Sequence, residues 1–230
     1  MDIVEVLPQL HLLRLPIGQA YLWRDGKSLT LIDTGLTGSG PDIADAVRSL
    51  GHDTSDIARI VLTHFHQDHA GSAAEVRSWH GAPVLAHSAD APIIRGERPG
   101  PPPVLADWEK PLFESIASGL PPAPPSPVDR ELAEGDVLDF GGGAHVLAIP
   151  GHTDGSIALH LPEHGVLFTG DTVANVQQLM VGVFNLDTAR TVESFRRLSE
   201  LDTEVACFGH GDPITTGAGD AMRATVAALG

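Results

Sequence analysis

The stretch Thr63-His64-Phe65-His66-Gln67-Asp68-His69 places three imidazoles and one carboxylate within six residues, directly after an apolar run. A strand that ends in such a loop carries the loop's side chains to the edge of a sheet, where functional sites are common. His64 and His66 are two residues apart, so in an extended loop they point to the same side and can share one metal ion. Asp68 and His69 follow where the loop turns, and they can face a second ion.

Three later segments repeat this theme, because each ends an apolar run with a glycine followed by a histidine or an aspartate. They place His152 in Pro150-Gly151-His152-Thr153, Asp171 in Thr169-Gly170-Asp171-Thr172, and His210 in Gly209-His210-Gly211-Asp212. One such segment alone is a weak signal, since a histidine after a strand is more often a hydrogen-bonded surface or core residue. All of them together predict a single metal site at the ends of several strands.

The number of ligands indicates two metal ions. Three neutral imidazoles, those of His64, His66 and His152, leave one tetrahedral position of zinc open, which is typical of a catalytic site. A second ion would take the remaining ligands, Asp68, His69 and His210, with Asp171 bridging both ions. We expect two divalent ions, with zinc favoured and iron or manganese compatible, because imidazole and carboxylate ligands accept all three.

Several neighbouring residues are candidates for supporting roles. Asp33 ends an apolar strand, and the sequence allows it either a turn role or a role as an acceptor that orients a ligand histidine. Thr153 and Asp212 are further candidates for contacts to ligands. Cys207 lies in an apolar run and is expected to be buried and inert. We interpret the other histidines as structural or solvated: His11, His52, His80, His87, His145, His160 and His164.

The composition and charge indicate which kinds of substrate and partner the protein has. The formal net charge is −16 over 230 residues, and the chain has only two lysines, Lys27 and Lys110. Such a surface repels phosphate backbones, which argues against a nucleic-acid substrate. The first residues show no basic segment followed by an apolar one, so no secretion signal is expected. No apolar run reaches the length of a membrane span, and the single cysteine excludes an internal disulfide. We therefore expect a cytoplasmic protein that acts on a small molecule without a membrane partner.

Periodicity predicts an alternation of strands and helices around an irregular middle. Strands are predicted at 3–7, 10–15, 19–25, 28–33, 59–63 and 83–87, and helices near 41–50, at 72–80 and after a cap at Ser88. Later strands are predicted from 131 and at 136–140, 144–149, 156–161, 166–169 and 205–208, and helices from Asp187 or Thr188 and over 218–229. Two sheets packed face to face with helices outside would bury all these one-faced elements, as one domain over residues 1–230.

Residues 92–127 differ in character from the rest. Eleven of the chain's 18 prolines lie there, so irregular structure is expected, with a helix within 104–118. A tethering loop would account for this composition. We favour a lid or pocket wall, because long loops in compact domains often have such a function.

These motifs resemble the metallo-β-lactamase fold superfamily over nearly the whole chain. The resemblance rests on Leu31-Ile32-Asp33-Thr34-Gly35, on the histidine-rich stretch at 63–69, and on the three later Gly-containing segments quoted above. It implies an α+β fold, a four-layer αββα sandwich with the metal site at one edge of the paired sheets. It also implies the same division of ligands between two ions and a bridging role for Asp171.

Within the superfamily, the sequence resembles more closely the glyoxalase II-like branch, which includes thioesterases, lactonases and related hydrolases. Asp171 is present and Cys207 lies elsewhere than the ligand cysteine of one β-lactamase group, which argues against a β-lactamase. Few basic residues follow the proline-rich region to hold glutathione, and the tyrosine of acyl-homoserine lactonases is absent after Asp171. We expect a hydrolase of a thioester, lactone or ester that uses a metal-bridging hydroxide, with Asp68 steering it and moving a proton.

Other functions remain open at this point. Persulfide dioxygenases resemble the same fold and hold one iron with two histidines and an aspartate, ligand types that this chain retains. A non-catalytic scaffold would be expected to have lost ligands, and none is missing. Oligomeric state is also open, because the exposed edge of a two-sheet domain often pairs with a second copy.

Overall fold

The structure, a computed structural model, describes residues 1–229. The chain forms two compact units. The first consists of Met1–Pro99 and Pro121–Leu132, and the second of Gly100–Leu120 and the chain from Ala133 onward. The proline-rich segment predicted at 92–127 is therefore divided, and its central part belongs to the second unit. A single domain over 1–230 and a lid role for this segment stay predictions.

The first unit contains a seven-stranded sheet in which sequence order is also spatial order. The first four strands pair antiparallel, and the last three continue the sheet in parallel. In chain order they are β1 (Asp2–Leu7), β2 (Leu10–Arg14), β3 (Gln19–Asp25), β4 (Ser28–Ile32), β5 (Ile57–Val61), β6 (Val84–His87) and β7 (Arg130–Leu132). Because β4 and β5 are parallel neighbours, the residues that follow them lie at the same edge of the sheet.

The helices of the first unit cover this sheet with apolar faces. They are α1 (Gly40–Ser49), α2 (Gln67–Ala70), α3 (Ala73–His80) and α4 (Ala91–Ile94). In α1, Ile43, Ala46 and Val47 are fully buried, as their helical spacing predicted. They pack in one core with β-strand residues such as Leu31 and Ile60. This core holds the ends of β4 and β5 in fixed positions.

The second unit has its own five-stranded sheet and a separate two-stranded hairpin. In chain order the strands are β8 (Val137–Leu138), β9 (Ala144–Ala148), β10 (Ile157–Leu161), β11 (Val166–Phe168), β12 (Val173–Asn175), β13 (Leu179–Val181) and β14 (Val205–Cys207). The spatial order of the larger sheet is β14-β11-β10-β9-β8, and β12 and β13 form the hairpin. Strand β10 is antiparallel to both β9 and β11, and β14 is parallel to β11. Strands β9, β11 and β14 therefore run in one direction and end at one edge.

Three helices accompany this second sheet: α5 (Glu109–Ile116), α6 (Thr188–Ser199) and α7 (Ala218–Ala228). The predicted start of α6 is confirmed, because the Asp187 side chain accepts a hydrogen bond from the Arg190 amide. Phe195 of α6 and Met222 of α7 are fully buried in a core that also contains Phe208. This core supports the strand ends that carry the later ligand candidates.

The structure differs from the predicted elements in three places. Asp68 and His69 lie in the short helix α2 and not in an irregular turn. Ser88 does not cap the next helix: α4 begins after Asp90, whose carboxylate instead accepts a hydrogen bond from the Phe65 amide at 3.1 Å. The stretch 176–184, for which no strand was predicted, contributes β13 to a hairpin with β12. None of the helices within residues 1–229 combines the length and apolarity needed to cross a bilayer.

Candidate metal centre

The histidine-rich stretch of the first unit continues directly from the buried end of β5. His64 and His69 are 1% and 0% exposed, whereas His66 and Asp68 are half-buried. The imidazole centroids of His64 and His66 lie 4.8 Å apart, and those of His64 and His69 lie 4.2 Å apart. Nε2 of His69 is 3.7 Å from Oδ2 of Asp68. The first unit therefore brings its four predicted ligands together.

The backbone around this stretch allows no side chain at Gly71, which follows α2. A Cβ there would collide with the main-chain atoms of Gln67, Leu36 and Thr37. The glycine lets the loop after β4 lie directly on α2. In that position the Thr34 amide donates a hydrogen bond to the His69 carbonyl at 2.7 Å. The close approach fixes the main chain of a candidate ligand.

Asp33 organises the histidines of the first unit. Its Oδ2 accepts hydrogen bonds from Nδ1 of His69 at 2.9 Å and from the Thr63 hydroxyl at 2.7 Å, and its Oδ1 accepts one from the Thr63 amide at 2.7 Å. Because the Thr63 hydroxyl proton is directed to Asp33, its oxygen accepts from Nδ1 of His64 at 3.0 Å. Both imidazoles then carry their proton on Nδ1, which leaves the Nε2 lone pair for a metal ion.

Of the two roles that the sequence allowed for Asp33, the structure shows the acceptor role. The residue also has a backbone φ of 58°, in the left-handed region that a non-glycine residue rarely adopts. Its amide donates to the Val61 carbonyl at 2.9 Å, which ties the end of β4 to the end of β5. This backbone conformation places the Asp33 carboxylate within hydrogen-bonding distance of Thr63 and His69, which follow β5.

The second unit places its three predicted ligands after β9, β11 and β14, the strands that end at one edge. Oδ2 of Asp171 lies 3.6 Å from Nε2 of His152 and 3.2 Å from Nε2 of His210. The side chains of His152 and Asp171 are 3% and 11% exposed, and that of His210 is 32% exposed. One carboxylate oxygen thus lies beside both imidazoles.

Asn185 contacts His152 and was missed by the sequence analysis. Its Oδ1 lies 3.2 Å from Nδ1 of His152, and its Nδ2 donates to the Gly182 carbonyl at 2.6 Å. Because the amide nitrogen is committed to a carbonyl, the amide oxygen faces the imidazole, and Nδ1 of His152 is the donor. No motif marked Asn185, since it lies 33 residues further along the chain in a loop without a recognisable pattern.

The roles predicted for the Thr153 and Asp212 side chains stay predictions, and the structure shows the following contacts around them. Thr153 hydrogen-bonds Ser156 through its amide at 3.0 Å and its hydroxyl at 2.9 Å, which closes the turn after His152. The Asp212 carbonyl accepts from the Asn175 side chain at 2.7 Å. Cys207 is buried, as predicted, and burial raises the pKa of its thiol. These residues shape the strand ends.

The family model described as the metallo-beta-lactamase superfamily matches residues 13–210. A "probable metallo-hydrolase YflN" of Bacillus subtilis (strain 168) is 28% identical over 233 residues, which cover 92% of this chain and 87% of that protein. A "hydroxyacylglutathione hydrolase" of Cereibacter sphaeroides is 31% identical over 173 residues, or 74% of this chain. The match covers only 54% of that hydrolase, so the chain spans about half its length.

The fold is also that of solved structures. The crystal structure of a metallo-beta-lactamase family protein from Thermus thermophilus superimposes with a TM-score of 0.71 at 26% identity, over 97% of this chain and 79% of that one. This likeness confirms the fold class expected from the sequence, the α+β metallo-β-lactamase fold.

Proposed function

Because the chain belongs to the metallo-β-lactamase superfamily of metal-dependent hydrolases, we propose that it holds two divalent metal ions and hydrolyses an ester-like bond of a small molecule. The first ion would be held by His64, His66 and His152. Asp68, His69 and His210 would hold the second, and Asp171 would contact both.

The position of Asp171 between two imidazoles is the observation that carries the proposal. Its Oδ2 lies 3.6 Å from His152 and 3.2 Å from His210, which the assignment gives to different ions. A carboxylate beside one imidazole is a common ion pair or hydrogen bond. A carboxylate oxygen beside two imidazoles, after three strands that run in one direction, is the arrangement expected of a ligand shared by two ions.

The donor set fits divalent metals. His64, His69 and His152 each have an oxygen acceptor 2.9 to 3.2 Å from Nδ1, so Nε2 is the atom left for coordination. Such acceptors are the usual support of metal-bound histidines. Neutral imidazoles and carboxylates bind zinc, manganese and iron. We propose zinc because an open site with three imidazoles is typical of catalytic zinc.

Bound divalent ions would activate water and polarise the carbonyl of the substrate. The protein's part is to hold the ligands in place and to move a proton. Asp68 is half-buried, and its Oδ2 lies close to the His69 imidazole, so it stands beside the site where water would be activated. We assign Asp68 to accept the proton of the attacking water and to return it to the leaving group. His66 and His210, the more exposed histidines, mark the solvent-facing side of their clusters.

The proposed substrates are thioesters, lactones and esters. A relative named for hydroxyacylglutathione hydrolysis supports an acyl-transfer reaction to water. The net charge of −16 and the two lysines of this chain favour a substrate with little negative charge. Expectations of a cytoplasmic location, of no nucleic-acid or membrane partner, and of a homo-oligomer stay predictions.

The first test is elemental analysis of the purified protein together with Asp171→Ala. We expect two zinc ions per chain in the wild type, and at most one ion and no thioester, lactone or p-nitrophenyl ester hydrolysis in the variant. Asp220→Ala is the matched control, because its carboxylate is 88% exposed on α7. Full activity of Asp171→Ala with one ion would contradict the shared role. One iron per chain, together with oxygen uptake in the presence of a persulfide, would indicate that the protein is a dioxygenase and not a hydrolase.

A further inference from the structure

The side chain of Glu109, the first residue of α5, is buried although it carries a carboxylate, with the residue only 4% exposed. Its Oε1 accepts a hydrogen bond from the Phe184 amide at 2.9 Å, and its Oε2 accepts one from the Ala106 amide at 2.8 Å. Burying a carboxylate is costly, and hydrogen bonds to its two oxygens offset part of that cost. Through these two bonds Glu109 joins the proline-rich segment to the loop that precedes α6.

Phe184 needs such a contact because its backbone is in a rare conformation. Its φ is 61°, and it shares this positive value only with Asp33 among the non-glycine residues that the structure describes. A non-glycine residue stays in the left-handed region only where its surroundings hold it there. The Glu109 carboxylate holds the amide, and the ring of Phe113, on the next turn of α5, packs edge-on against the Phe184 ring at 5.1 Å.

The residue after Phe184 is Asn185, which orients His152. The Asn185 carbonyl accepts a hydrogen bond from the Val104 amide at 2.9 Å, a second tie to the proline-rich segment. On the other side, the Leu186 amide donates to the His152 carbonyl at 3.2 Å. The loop that contains Asn185 is therefore bound on one side by the segment 104–113 and on the other side by the turn at His152. The direction of the Asn185 side chain depends on both contacts.

We infer that Glu109 is a positioning residue for His152, acting through Phe184 and Asn185. Its carboxylate keeps the backbone of Phe184 in the left-handed conformation. This conformation directs the amide oxygen of Asn185 towards Nδ1 of His152, so Nε2 of that imidazole remains for the metal ion. The inference rests on the proposed function in taking His152 as a metal ligand. It gives the central part of the proline-rich segment a fixed supporting role in the second unit.

The test measures the zinc affinity of the whole 230-residue chain by competition with a colorimetric chelator. We expect Glu109→Ala and Asn185→Ala each to weaken the binding of one zinc ion about tenfold, in the range known for such supporting contacts. The double variant should bind zinc no more weakly than Asn185→Ala alone, because Glu109 acts through Asn185. Glu114→Ala removes an exposed carboxylate from the same helix and should change nothing.

A second measurement separates positioning from general stabilisation. In the chelator-treated protein, nitrogen NMR of the imidazoles should show His152 protonated on Nδ1 in the wild type and as a mixture of tautomers in Glu109→Ala. If that variant does not fold, Glu109→Gln keeps the size and one acceptor, and it should show a smaller shift in the same direction. An unchanged tautomer and zinc affinity in a folded Glu109 variant, or additive losses in the double variant, would overturn the inference.

His152→Ala distinguishes the two possible failures. If it leaves zinc binding unchanged, His152 is not a ligand and the proposed centre itself fails. If it weakens zinc binding while both Glu109 variants bind zinc like the wild type, only the positioning role fails.

Discussion

Oδ2 of Asp33 lies 2.9 Å from Nδ1 of the fully buried His69, and the same oxygen accepts the hydroxyl proton of Thr63. Because the Thr63 hydroxyl donates its proton to Asp33, its oxygen accepts a hydrogen bond from Nδ1 of His64, 3.0 Å away. One carboxylate at the end of β4 thus sets the proton position on two imidazoles that follow the neighbouring strand β5. A ligand pair that is orientated in this way is ready to bind a cation through Nε2.

Replacing this carboxylate by an amide should weaken metal binding. In Asp33→Asn, an NH₂ group would face the donors of Thr63 or His69, since an amide has only one acceptor oxygen. We expect zinc affinity to fall by about 10- to 100-fold and the free energy of unfolding of the metal-free protein by about 1 to 3 kcal/mol. Chelator competition and chemical denaturation measure the two effects. Asp45→Asn is the control, because Asp45 forms an exposed i,i+3 ion pair with Arg48. Unchanged zinc affinity in Asp33→Asn would show that Asp33 has only a structural role.

Asp68 should be needed for turnover even when the metal ions are present. Asn can replace a carboxylate oxygen as a ligand but cannot take up a proton near neutral pH. For Asp68→Asn refilled to two ions per chain, we expect kcat/KM for a thioester to be about 10² to 10⁴-fold below that of the wild type. Elemental analysis and kinetics on the same sample check this. Recovery of the full rate on refilling would assign Asp68 to metal binding alone.

Gly182 should be intolerant of any side chain because of its contact with Asp171. A Cβ at this position would overlap the Asp171 carbonyl oxygen. Gly182→Ala should therefore displace Asp171, lower the metal content below that of the wild type and reduce the free energy of unfolding by about 1 to 3 kcal/mol. At Gly119, an added Cβ meets nothing within 4 Å, so Gly119→Ala is the matched control. Equal metal content in both variants would contradict the prediction.

Cys207 should be unreactive in the folded protein. The thiol is fully buried in β14, and burial raises its pKa, so the thiolate that reacts with electrophiles is scarce. A colorimetric disulfide reagent should release no chromophore from the native protein at pH 8 and one equivalent after denaturation. Rapid labelling of the native protein would show that the strand opens, and it would contradict the buried position.

The ion pair between Asp129 and Arg77 should stabilise the first unit in a pH-dependent way. Hydrogen bonds from the Arg77 guanidinium at 2.8 and 3.0 Å, and from the Val84 amide at 2.9 Å, lower the pKa of Asp129 below its ordinary value of 3.8. A lowered folded-state pKa contributes stability that is complete above pH 3.8 and is lost as the pH falls through the folded value.

The corresponding variant is Asp129→Asn. At pH 7 its free energy of unfolding should be about 1 to 3 kcal/mol lower than that of the wild type. This difference in the free energy of unfolding should become smaller as the pH falls below 3.8. Denaturation at several pH values on chelator-treated protein measures the gap without interference from metal loss. A gap that stays constant down to pH 2.5 would show that the charge of Asp129 is not what matters.

Most of the fold could be predicted from the sequence because it depends on local patterns. Strands β1 to β4 follow from alternation and from the Asp25-Gly26 turn, and α1 follows from its apolar stripe and the glycine at its end. The seven ligand candidates were found for a similar reason: each lies in a segment that follows an apolar strand, and the type of residue is visible in the sequence. The hairpin of β12 and β13, with strands of three residues each, was missed.

What supports the ligands was decided by tertiary structure. Asp33 and His69 are 36 residues apart, His152 and Asn185 are 33 apart, and Glu109 reaches Phe184 over 75 residues. The sequence by itself determined which residues can bind a metal ion, because that depends on the chemistry of each side chain. Only the tertiary structure decided which imidazole nitrogen carries the proton, because that depends on acceptors that folding brings within hydrogen-bonding distance.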